Sequence, residues 1–210
     1  MVLPTLNEEY GSLDYWNDRY GSLEQDEEAF EWFKGFKDLS SMFAECMADK
    51  SGNILHLGSG NSLLSEDLYE AGWSNVVNVD YSPVVIDKMK SKFSHPTVKW
   101  IVADIFQLDA AFPAQSFMYA IDKGTLDALL TAKYDQWNPP AELCSRIQVY
   151  MDQVARVLKP GGLFIHITFA QPHFRRQFLE SAGCFDVQVK ILSDSSSSFE
   201  YFAYFCTRKA

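Results

Sequence analysis

The hydrophobic pattern of the chain changes near residue 52. After that position, short apolar runs alternate with longer segments whose apolar residues recur at helical spacing. Short apolar strands separated by amphipathic helices are typical of a parallel sheet with helices packed on both faces. The predicted strands are residues 53–57, 76–79, 98–102, 117–121, 163–168, 185–192 and 199–206.

The helices predicted between these strands have recognisable ends. Ser82 precedes Pro83, which gives one helix an N-cap residue and a proline at its first position. No helix separates the last two strands, so they are predicted to form an antiparallel pair. The predicted helices cover residues 62–71, 83–93, 143–158 and 174–182, with a shorter helical segment after Thr125.

Together these elements predict a fold of the α/β class. We expect a doubly wound, mostly parallel, seven-stranded Rossmann-like sheet with a terminal antiparallel strand. The first fifty residues predict helices and are rich in aromatic side chains. Because the chain has 210 residues, we expect a single domain over residues 1–210, with residues 1–50 as a helical N-terminal part and residues 51–210 as the core.

A glycine turn follows the first predicted strand. Residues 58–60 read Gly-Ser-Gly, and a helix-compatible segment begins directly after them. Strand, glycine turn and helix open the nucleotide-binding α/β folds, in which glycine lets a ligand approach the backbone. Leu63 stands where a dinucleotide site has its third glycine, so a pyrophosphate is disfavoured. Gly58 and Gly60 fit better a ligand with ribose and adenine but no phosphate, such as S-adenosylmethionine.

Acidic residues stand where the next predicted strands end. Asp80 follows the second strand and Asp104 the third, and both are expected to face one crevice at the carboxyl edge of the sheet. Asp80 lies about 20 residues beyond Gly60, the distance at which an acidic residue accepts hydrogen bonds from a ribose. Asp104 could accept from an exocyclic amine, with Ile105 packed on the base. Each carboxylate taken alone could also be a surface group or a helix cap.

Aromatic residues dominate the N-terminal part of the chain. Trp16 and Tyr20 are spaced so that a helix would place both rings on one face. Trp32 lies in a second aromatic stretch. From the residues alone, these rings predict a hydrophobic contact that holds the N-terminal helix to the rest of the domain.

Composition and charge narrow the function. Apolar residues make up 47% of the chain and no apolar run has the length of a membrane helix. The N-terminus lacks the features of a signal peptide. The 4 cysteines have no metal-ligand spacing, so we expect reduced thiols, no metal site and a cytoplasmic protein. The formal net charge of −10 disfavours nucleic acid and suits a basic protein or a small ligand, unless it serves solubility alone.

The histidines provide no convincing catalytic set. His56 and His166 lie within predicted strands, where a hydrogen-bonded core histidine is the favoured interpretation. His173 is predicted in the loop after the fifth strand, where it could contact a substrate or simply lie on the surface.

Several motifs resemble the class I, seven-strand, S-adenosylmethionine-dependent methyltransferases. The matching segments are residues 57–61, 79–82, 103–105 and 157–162. With residues 15–20, 31–33 and 122–128 added, the chain looks like the protein-lysine methyltransferases that modify translation elongation factor 1-alpha. This similarity runs over almost the full length and is least distinctive in the C-terminal strands. Ser59 is a minor departure, since relatives often have Cys there.

The resemblance implies a cofactor, a site and a substrate. The cofactor is S-adenosyl-L-methionine, and the N-terminal rings would form a lid over its sulfonium, which gains cation–π attraction. The substrate is a basic protein, elongation factor 1-alpha; we expect a monomer with no nucleic-acid or membrane partner. The cofactor-binding positions implied by the resemblance are Trp16, Tyr20, Trp32, Gly58, Asp80, Tyr81, Asp104, Ile105 and Lys123.

Methyl transfer to lysine requires a neutral amine, although the ordinary pKa of lysine is about 10.4. An apolar channel lowers that pKa, and a carboxylate can orient the amine and help to remove its proton. Asp122 and Asp127 are the catalytic candidates because they flank the turn after the fourth strand. One of them could cap the following helix instead, although Asp127 lies too far into it.

Two other functions remain open at this point. A methyltransferase of the same fold that acts on a small molecule predicts a closed apolar pocket above the fourth and fifth strands, which residues 134–140 could form. A cofactor-binding partner protein without activity is the second alternative. Such a protein has no need to retain the glycine and acidic positions.

Overall fold

The computed structural model describes residues 4–23, 29–181, 183–192 and 199–210. Its strands are β1 (Ile54–Leu57), β2 (Val76–Asp80), β3 (Lys99–Val102), β4 (Phe117–Lys123), β5 (Leu158–Thr168), β6 (Phe185–Leu192) and β7 (Tyr201–Arg208). They form one seven-stranded sheet in the order β3-β2-β1-β4-β5-β7-β6. Strands β1 to β5 pair in parallel, and β7 is antiparallel to both of its neighbours. The predicted sheet and its antiparallel C-terminal strand are confirmed.

The helices lie between the strands and in the N-terminal part. They are α1 (Leu13–Gly21), α2 (Phe36–Cys46), α3 (Leu64–Glu70), α4 (Pro83–Lys92), α5 (Leu108–Ala111), α6 (Thr125–Leu129), α7 (Ala141–Val157) and α8 (Pro172–Ser181), with 3-10 turns at Asn7–Gly11 and Ile105–Gln107. Ser82 caps α4 as predicted, because its side chain accepts a hydrogen bond from the backbone of Val85. The predicted end of the last helix at residue 182 lies outside the described residues.

Three strands have boundaries that differ from the sequence prediction by two residues or more. β4 continues to Lys123, so Asp122 lies within the strand and pairs in register with Leu57 and His166. β5 begins earlier than predicted because Leu158 already pairs with Phe117 ahead of a register shift. β7 is displaced by two positions along the chain; side chains alternate with a period of two, so the buried face stays the same.

Alternation along the central strands supplies apolar side chains to both faces of the sheet. In β1, Ile54 joins the cluster formed with α2, α3 and α4, whereas Leu55 and Leu57 join the cluster formed with α5, α7 and α8. In β5, Phe164 and Ile165 divide in the same way. Burial on both faces is what a doubly wound sheet requires. Among the described residues, no helix is both long and apolar enough to span a bilayer.

The N-terminal part is fastened to the carboxyl edge of the sheet through Glu31. The Glu31 carboxylate accepts hydrogen bonds from the Ser62 hydroxyl at 2.8 Å and from the Leu63 backbone N–H at 2.6 Å. It also forms an ion pair with Lys123 at 2.8 Å. The Lys123 ammonium donates a further hydrogen bond to the carbonyl oxygen of Trp32. One carboxylate therefore joins the segment around Trp32 to the glycine turn and to the end of β4.

The turn after β1 depends on the absence of a side chain at Gly58. Its φ is +59°, and a Cβ atom there would lie 2.1 Å from Oγ1 of Thr125. That hydroxyl cannot readily move, because it donates a hydrogen bond of 2.9 Å to the carbonyl oxygen of Leu57. The close approach of α6 to the end of β1 therefore requires glycine.

Substituting Gly58 by alanine should destabilise the protein more than the same change at Gly161. Both residues have a positive φ, but a Cβ at Gly161 would meet nothing within 4 Å. Each change incurs backbone strain of about 1–2 kcal/mol, and Gly58→Ala adds overpacking of about 1–3 kcal/mol. Urea unfolding without cofactor measures both losses; equal losses would show that the contact with Thr125 is not the constraint.

Removing the carboxylate of Glu31 should cost more stability than removing a matched surface carboxylate. The side chain of Lys123 is 2% exposed, so Glu31→Ala leaves a buried cation without its ion-pair partner, at about 2–4 kcal/mol. Glu45→Ala breaks an exposed ion pair with Lys190 and should cost less than about 1 kcal/mol.

For both variants we would measure the free energy of unfolding and, as a second readout, the rate of amide hydrogen exchange in α1. Glu31→Ala should speed exchange in α1, whereas Glu45→Ala should leave it unchanged. Similar behaviour of the two variants would show that Glu31 does not fasten the N-terminal part.

Candidate active site

One cavity of about 1530 Å³ opens at the carboxyl edge of the sheet. It exceeds the roughly 300–1,000 Å³ of an ordinary small-molecule site, so it has room for a nucleoside-sized ligand and a second reactant. Residues from the ends of β1, β2 and β3 line one half, which we call the cofactor half. Residues from α6, the loop that follows it, the segment after β5 and α8 line the other half, which we call the acceptor half.

Asp80 is the buried anion of the cofactor half. It is 4% exposed, and its two carboxylate oxygens accept hydrogen bonds from the backbone N–H groups of Gly60 at 3.0 Å and Ser82 at 2.9 Å. Burial raises the pKa of Asp80 to about 6, and these hydrogen bonds lower it in part. The carboxylate is held in one orientation, and each oxygen retains acceptor capacity for a ligand hydroxyl.

Asp104 and Ile105 lie at the end of β3 and line the same half. Asp104 accepts a hydrogen bond from the backbone N–H of Phe106 at 2.9 Å and caps the 3-10 turn, as the alternative interpretation of this residue predicts. Ile105 is 8% exposed and packs into the core. Tyr81 also lines the cavity, and burial raises the pKa of its phenol. Asp104 can therefore cap the 3-10 turn and still present a carboxylate to a ligand in the cavity.

The predicted aromatic residues meet above the cofactor half. The rings of Trp16 and Tyr20 are stacked with centroids 5.5 Å apart, and Trp32 meets Trp16 edge to face at 6.4 Å. All three line the cavity. Trp16 and Tyr20 also belong to the hydrophobic core beneath α1. The rings of Trp16 and Tyr20 therefore make the contact predicted to hold α1, and all three rings also form a wall of the cavity.

The glycine turn lies directly under these rings. Gly60 has a φ of +52°, and a Cβ atom there would lie 2.8 Å from the Tyr20 hydroxyl. Tyr20 is 4% exposed, and burial together with the nearby Asp80 carboxylate raises the pKa of its phenol well above 10. Gly58, Gly60 and Tyr20 therefore form one packed layer of the cavity wall.

Lys123 lines the cavity between its two halves. Burial lowers the pKa of its ammonium, and the Glu31 carboxylate opposes that change. The sequence analysis did not identify Glu31 as a site residue, because its partners lie far from it along the chain. The only local signal was a carboxylate next to aromatic residues, which a surface position explains equally well.

Asp122 lies beneath the cavity and does not line it. It is 0% exposed, and its oxygens accept hydrogen bonds from the Tyr150 hydroxyl at 2.8 Å and the backbone N–H of Leu126 at 3.0 Å. His166 lies 3.2 Å away. Burial alone raises the pKa of Asp122, but His166 and these hydrogen bonds bring it below its ordinary value. Asp122 therefore fits the helix-cap alternative, because its carboxylate accepts hydrogen bonds from the backbone N–H groups of Thr125 and Leu126 at the start of α6.

Asp127 lines the acceptor half of the cavity. Its Oδ1 accepts hydrogen bonds from the Thr168 hydroxyl at 2.5 Å and from Nη2 of Arg175 at 2.7 Å. Its Oδ2 is buried and has no hydrogen-bond partner among the described residues. Of the two predicted carboxylates, the structure brings only Asp127 to the cavity with an unused oxygen.

The three histidines considered in the sequence occupy two different settings. His56 is buried and lies within hydrogen-bonding distance of Ser65 and Asn78; burial lowers its pKa to about 4. His166 is buried against Asp122, so both behave as the predicted core histidines. His173 lies in the first turn of α8 and not in a loop, with its ring stacked on Trp137 at 5.1 Å. Across the part of the chain that the structure describes, no His, Cys, Asp and Glu cluster could hold a metal ion.

The chain is similar to known proteins over most of its length. The family described as "Methyltransferase domain" matches residues 55–166. The chain is 40% identical over 183 residues to EEF1A lysine methyltransferase 4 of Mus musculus, an alignment that covers 85% of this chain and 69% of that protein. It is 33% identical to the eEF1A lysine and N-terminal methyltransferase of Homo sapiens, over 84% of this chain and 24% of that protein.

Solved structures show the same fold at low sequence identity. A SAM-dependent methyltransferase from Methanosarcina mazei superposes with a TM-score of 0.59 at 15% identity, covering 77% of this chain and 94% of that one. The 1,6-didemethyltoxoflavin-N1-methyltransferase of Burkholderia thailandensis, solved with S-adenosylhomocysteine, has a TM-score of 0.60 at 13% identity and covers 100% of this chain and 93% of its own. The chain therefore belongs to the methyltransferase-domain family and, within it, to the group of relatives that contains EEF1A lysine methyltransferase 4.

Proposed function

We propose that this chain is an S-adenosylmethionine-dependent protein-lysine methyltransferase that acts on translation elongation factor 1-alpha. The observation that carries the proposal is a single cavity with Asp80 in one half and Asp127 in the other. The relatives named for this activity support the choice of substrate. A cytoplasmic location and a monomeric state are part of the same proposal, and the net charge of −10 suits a basic protein partner.

The residues of the cofactor half fit S-adenosylmethionine. Asp80 offers a buried, oriented carboxylate to a ribose diol, and Asp104 with Ile105 offers an acceptor and an apolar surface to an adenine. The glycine turn and Lys123 would face the amino-acid end of the cofactor. Trp16, Tyr20 and Trp32 would present their faces to the sulfonium; the contacting positions are Trp16, Tyr20, Trp32, Gly58, Gly60, Asp80, Tyr81, Asp104, Ile105 and Lys123.

S-adenosylmethionine supplies an electrophilic methyl group bonded to a positively charged sulfur. The lone pair of the lysine nitrogen forms the new N–C bond while the C–S bond breaks and its electron pair goes to sulfur. The nitrogen must therefore lose a proton before attack, and solvent is the final acceptor of that proton. The chain's part is to hold the amine in line and to keep it neutral.

Asp127 is the residue proposed to receive the amine. Its Oδ2 has no partner among the described residues and so can accept one hydrogen bond from the lysine nitrogen. Asp122 is proposed to support this arrangement from below, because it holds the start of the helix that carries Asp127. We assign Asp122 a structural part and Asp127 the contact with substrate.

The direct test uses purified elongation factor 1-alpha and tritiated S-adenosylmethionine. The wild-type chain should label the factor on lysine. Asp80→Asn should weaken cofactor binding by about 10- to 100-fold, because hydrogen bonds to a charged acceptor contribute about 1.5–3 kcal/mol each. Calorimetry measures that affinity; wild-type affinity in the variant would show that the ligand site is misplaced. Label found only in small molecules of a cell extract would establish the small-molecule alternative.

A pair of isosteric variants separates the two carboxylates. Asp127→Asn should lower the single-turnover rate by about 10²–10⁴-fold. It should also lose stability, because the amide oxygen still accepts from Thr168 and Arg175 but the buried Arg175 loses its ion-pair partner. Asp122→Asn should lose about 2–3 kcal/mol of stability, because its amide nitrogen must face a hydrogen-bond donor. Rapid-quench kinetics and urea unfolding measure the two effects. A wild-type rate in Asp127→Asn together with a lower rate in Asp122→Asn would make Asp122 the catalytic residue.

A further inference from the structure

Arg175 is a buried arginine that the methyltransferase assignment leaves without a role. It lies in the first part of α8, its side chain is 5% exposed, and it lines the acceptor half of the cavity. Its Nη2 donates to Oδ1 of Asp127 at 2.7 Å. Its Nε and Nη1 are buried and have no hydrogen-bond partner among the residues that the structure describes.

The contact between Arg175 and Asp127 has an unusual form. An arginine and a carboxylate commonly pair through two parallel hydrogen bonds, which occupy both carboxylate oxygens. Here Arg175 and Thr168 both bind Oδ1, and Oδ2 has no partner within the described chain. Buried polar atoms without a partner are rare and cost about 1–3 kcal/mol each. The two residues therefore fix the direction of the carboxylate and leave one oxygen for a donor that enters the cavity.

The charge of Arg175 has a second consequence for an amine at Oδ2. A lone carboxylate stabilises an ammonium ion and would hold a lysine in its unreactive protonated form. A cation close by favours the neutral amine, as it does for lysine nucleophiles beside other positive groups. A carboxylate paired with Arg175 can orient the nitrogen without retaining its proton.

We propose that Arg175 is a positioning residue for methyl transfer, which turns Oδ2 of Asp127 toward the acceptor amine and offsets the charge of that carboxylate. This inference rests on the proposed function, since it takes a lysine amine as the acceptor. The Thr168 hydroxyl also helps to orient the Asp127 carboxylate, but it contributes no charge. Arg175 acts through Asp127 and need not touch the reacting atoms.

The phenols that interact with this pair do not supply the same charge. Burial raises the pKa of the phenols of Tyr134 and Tyr204, which therefore stay neutral through the physiological range. Lys123 is held by Glu31, and Arg176 is held by Glu180. Tyr134 after α6 and Tyr204 on β7 interact electrostatically with both Arg175 and Asp127. The charged side chains of Lys133 after α6, Arg146 on α7 and Glu200 before β7 line the same cavity.

The test compares Arg175→Met, Arg175→Lys and Arg176→Met in single-turnover methylation of elongation factor 1-alpha from pH 6.5 to 10. Loss of the cation raises the pKa of the bound amine, so Arg175→Met should shift the rise of the rate to higher pH by about one unit or more. Near neutral pH that shift is a loss of about tenfold. Arg175→Lys should restore much of the pH profile, because it restores the charge. Arg176→Met, a change at an exposed neighbour, should match wild type.

A double variant and two binding measurements exclude a merely structural effect. In Asp127→Asn with Arg175→Met, the carboxylate to be offset is gone, so the pH profile should return toward that of Asp127→Asn alone. Cofactor affinity by calorimetry should stay unchanged in all Arg175 variants. A lower rate or melting temperature in Arg175→Met with an unshifted pH profile would overturn the inference while leaving the proposed function intact. A wild-type chain that labels no protein lysine would overturn both.

Discussion

The buried ammonium of Lys123 is the constraint on which the site depends. Its side chain is 2% exposed at the end of the central strand β4, where a cation needs a partner of opposite charge. Glu31 provides it, and the same carboxylate binds the Ser62 hydroxyl and the Leu63 backbone beside the glycine turn. Compensating one charge therefore brings the N-terminal segment over the cavity. That attachment positions Trp32 in the aromatic wall, whereas Trp16 and Tyr20 lie on α1, which is also held by core packing and by a hydrogen bond from Lys88 to the Tyr20 carbonyl oxygen.

The sheet, the glycine turn and the acidic strand ends could be predicted because each depends on residues that are close together in the sequence. Alternation of apolar runs and helices predicts the doubly wound sheet, and Asp80 is positioned by the end of its own strand. The single-domain organisation remains a prediction. The pairing of Glu31 with Lys123 could not be predicted from local pattern, because it joins residues that are distant in the chain and brought together only by the fold.

The roles of the two carboxylates that flank the turn after β4 could not be predicted from local pattern either. By residue type, Asp122 and Asp127 are equal candidates for contact with an amine. What distinguishes them is their neighbours on other elements. Tyr150 on α7 and His166 on β5 enclose Asp122. Arg175 on α8 and Thr168 on β5 both bind one oxygen of Asp127 and leave the other without a partner among the described residues. Strand position alone would have placed both at the cavity. The extension of β4 to Lys123 puts Asp122 inside the sheet instead.

Negative charge is favourable on the surface of the molecule but unfavourable next to the amine inside the cavity. The net charge of −10 favours the approach of a basic protein over the whole surface. A lysine that enters the cavity must then become neutral, which a strongly negative interior would prevent. Within the acceptor half the carboxylate of Asp127 meets Arg175, and between the halves that of Glu31 meets Lys123. Among the described residues, the hydrogen-bond donors to Asp80 are backbone N–H groups, and Asp80 lies in the cofactor half of the cavity. The acidic exterior attracts a cation, and the pairing of Asp127 with Arg175 permits its deprotonation where the methyl group is transferred.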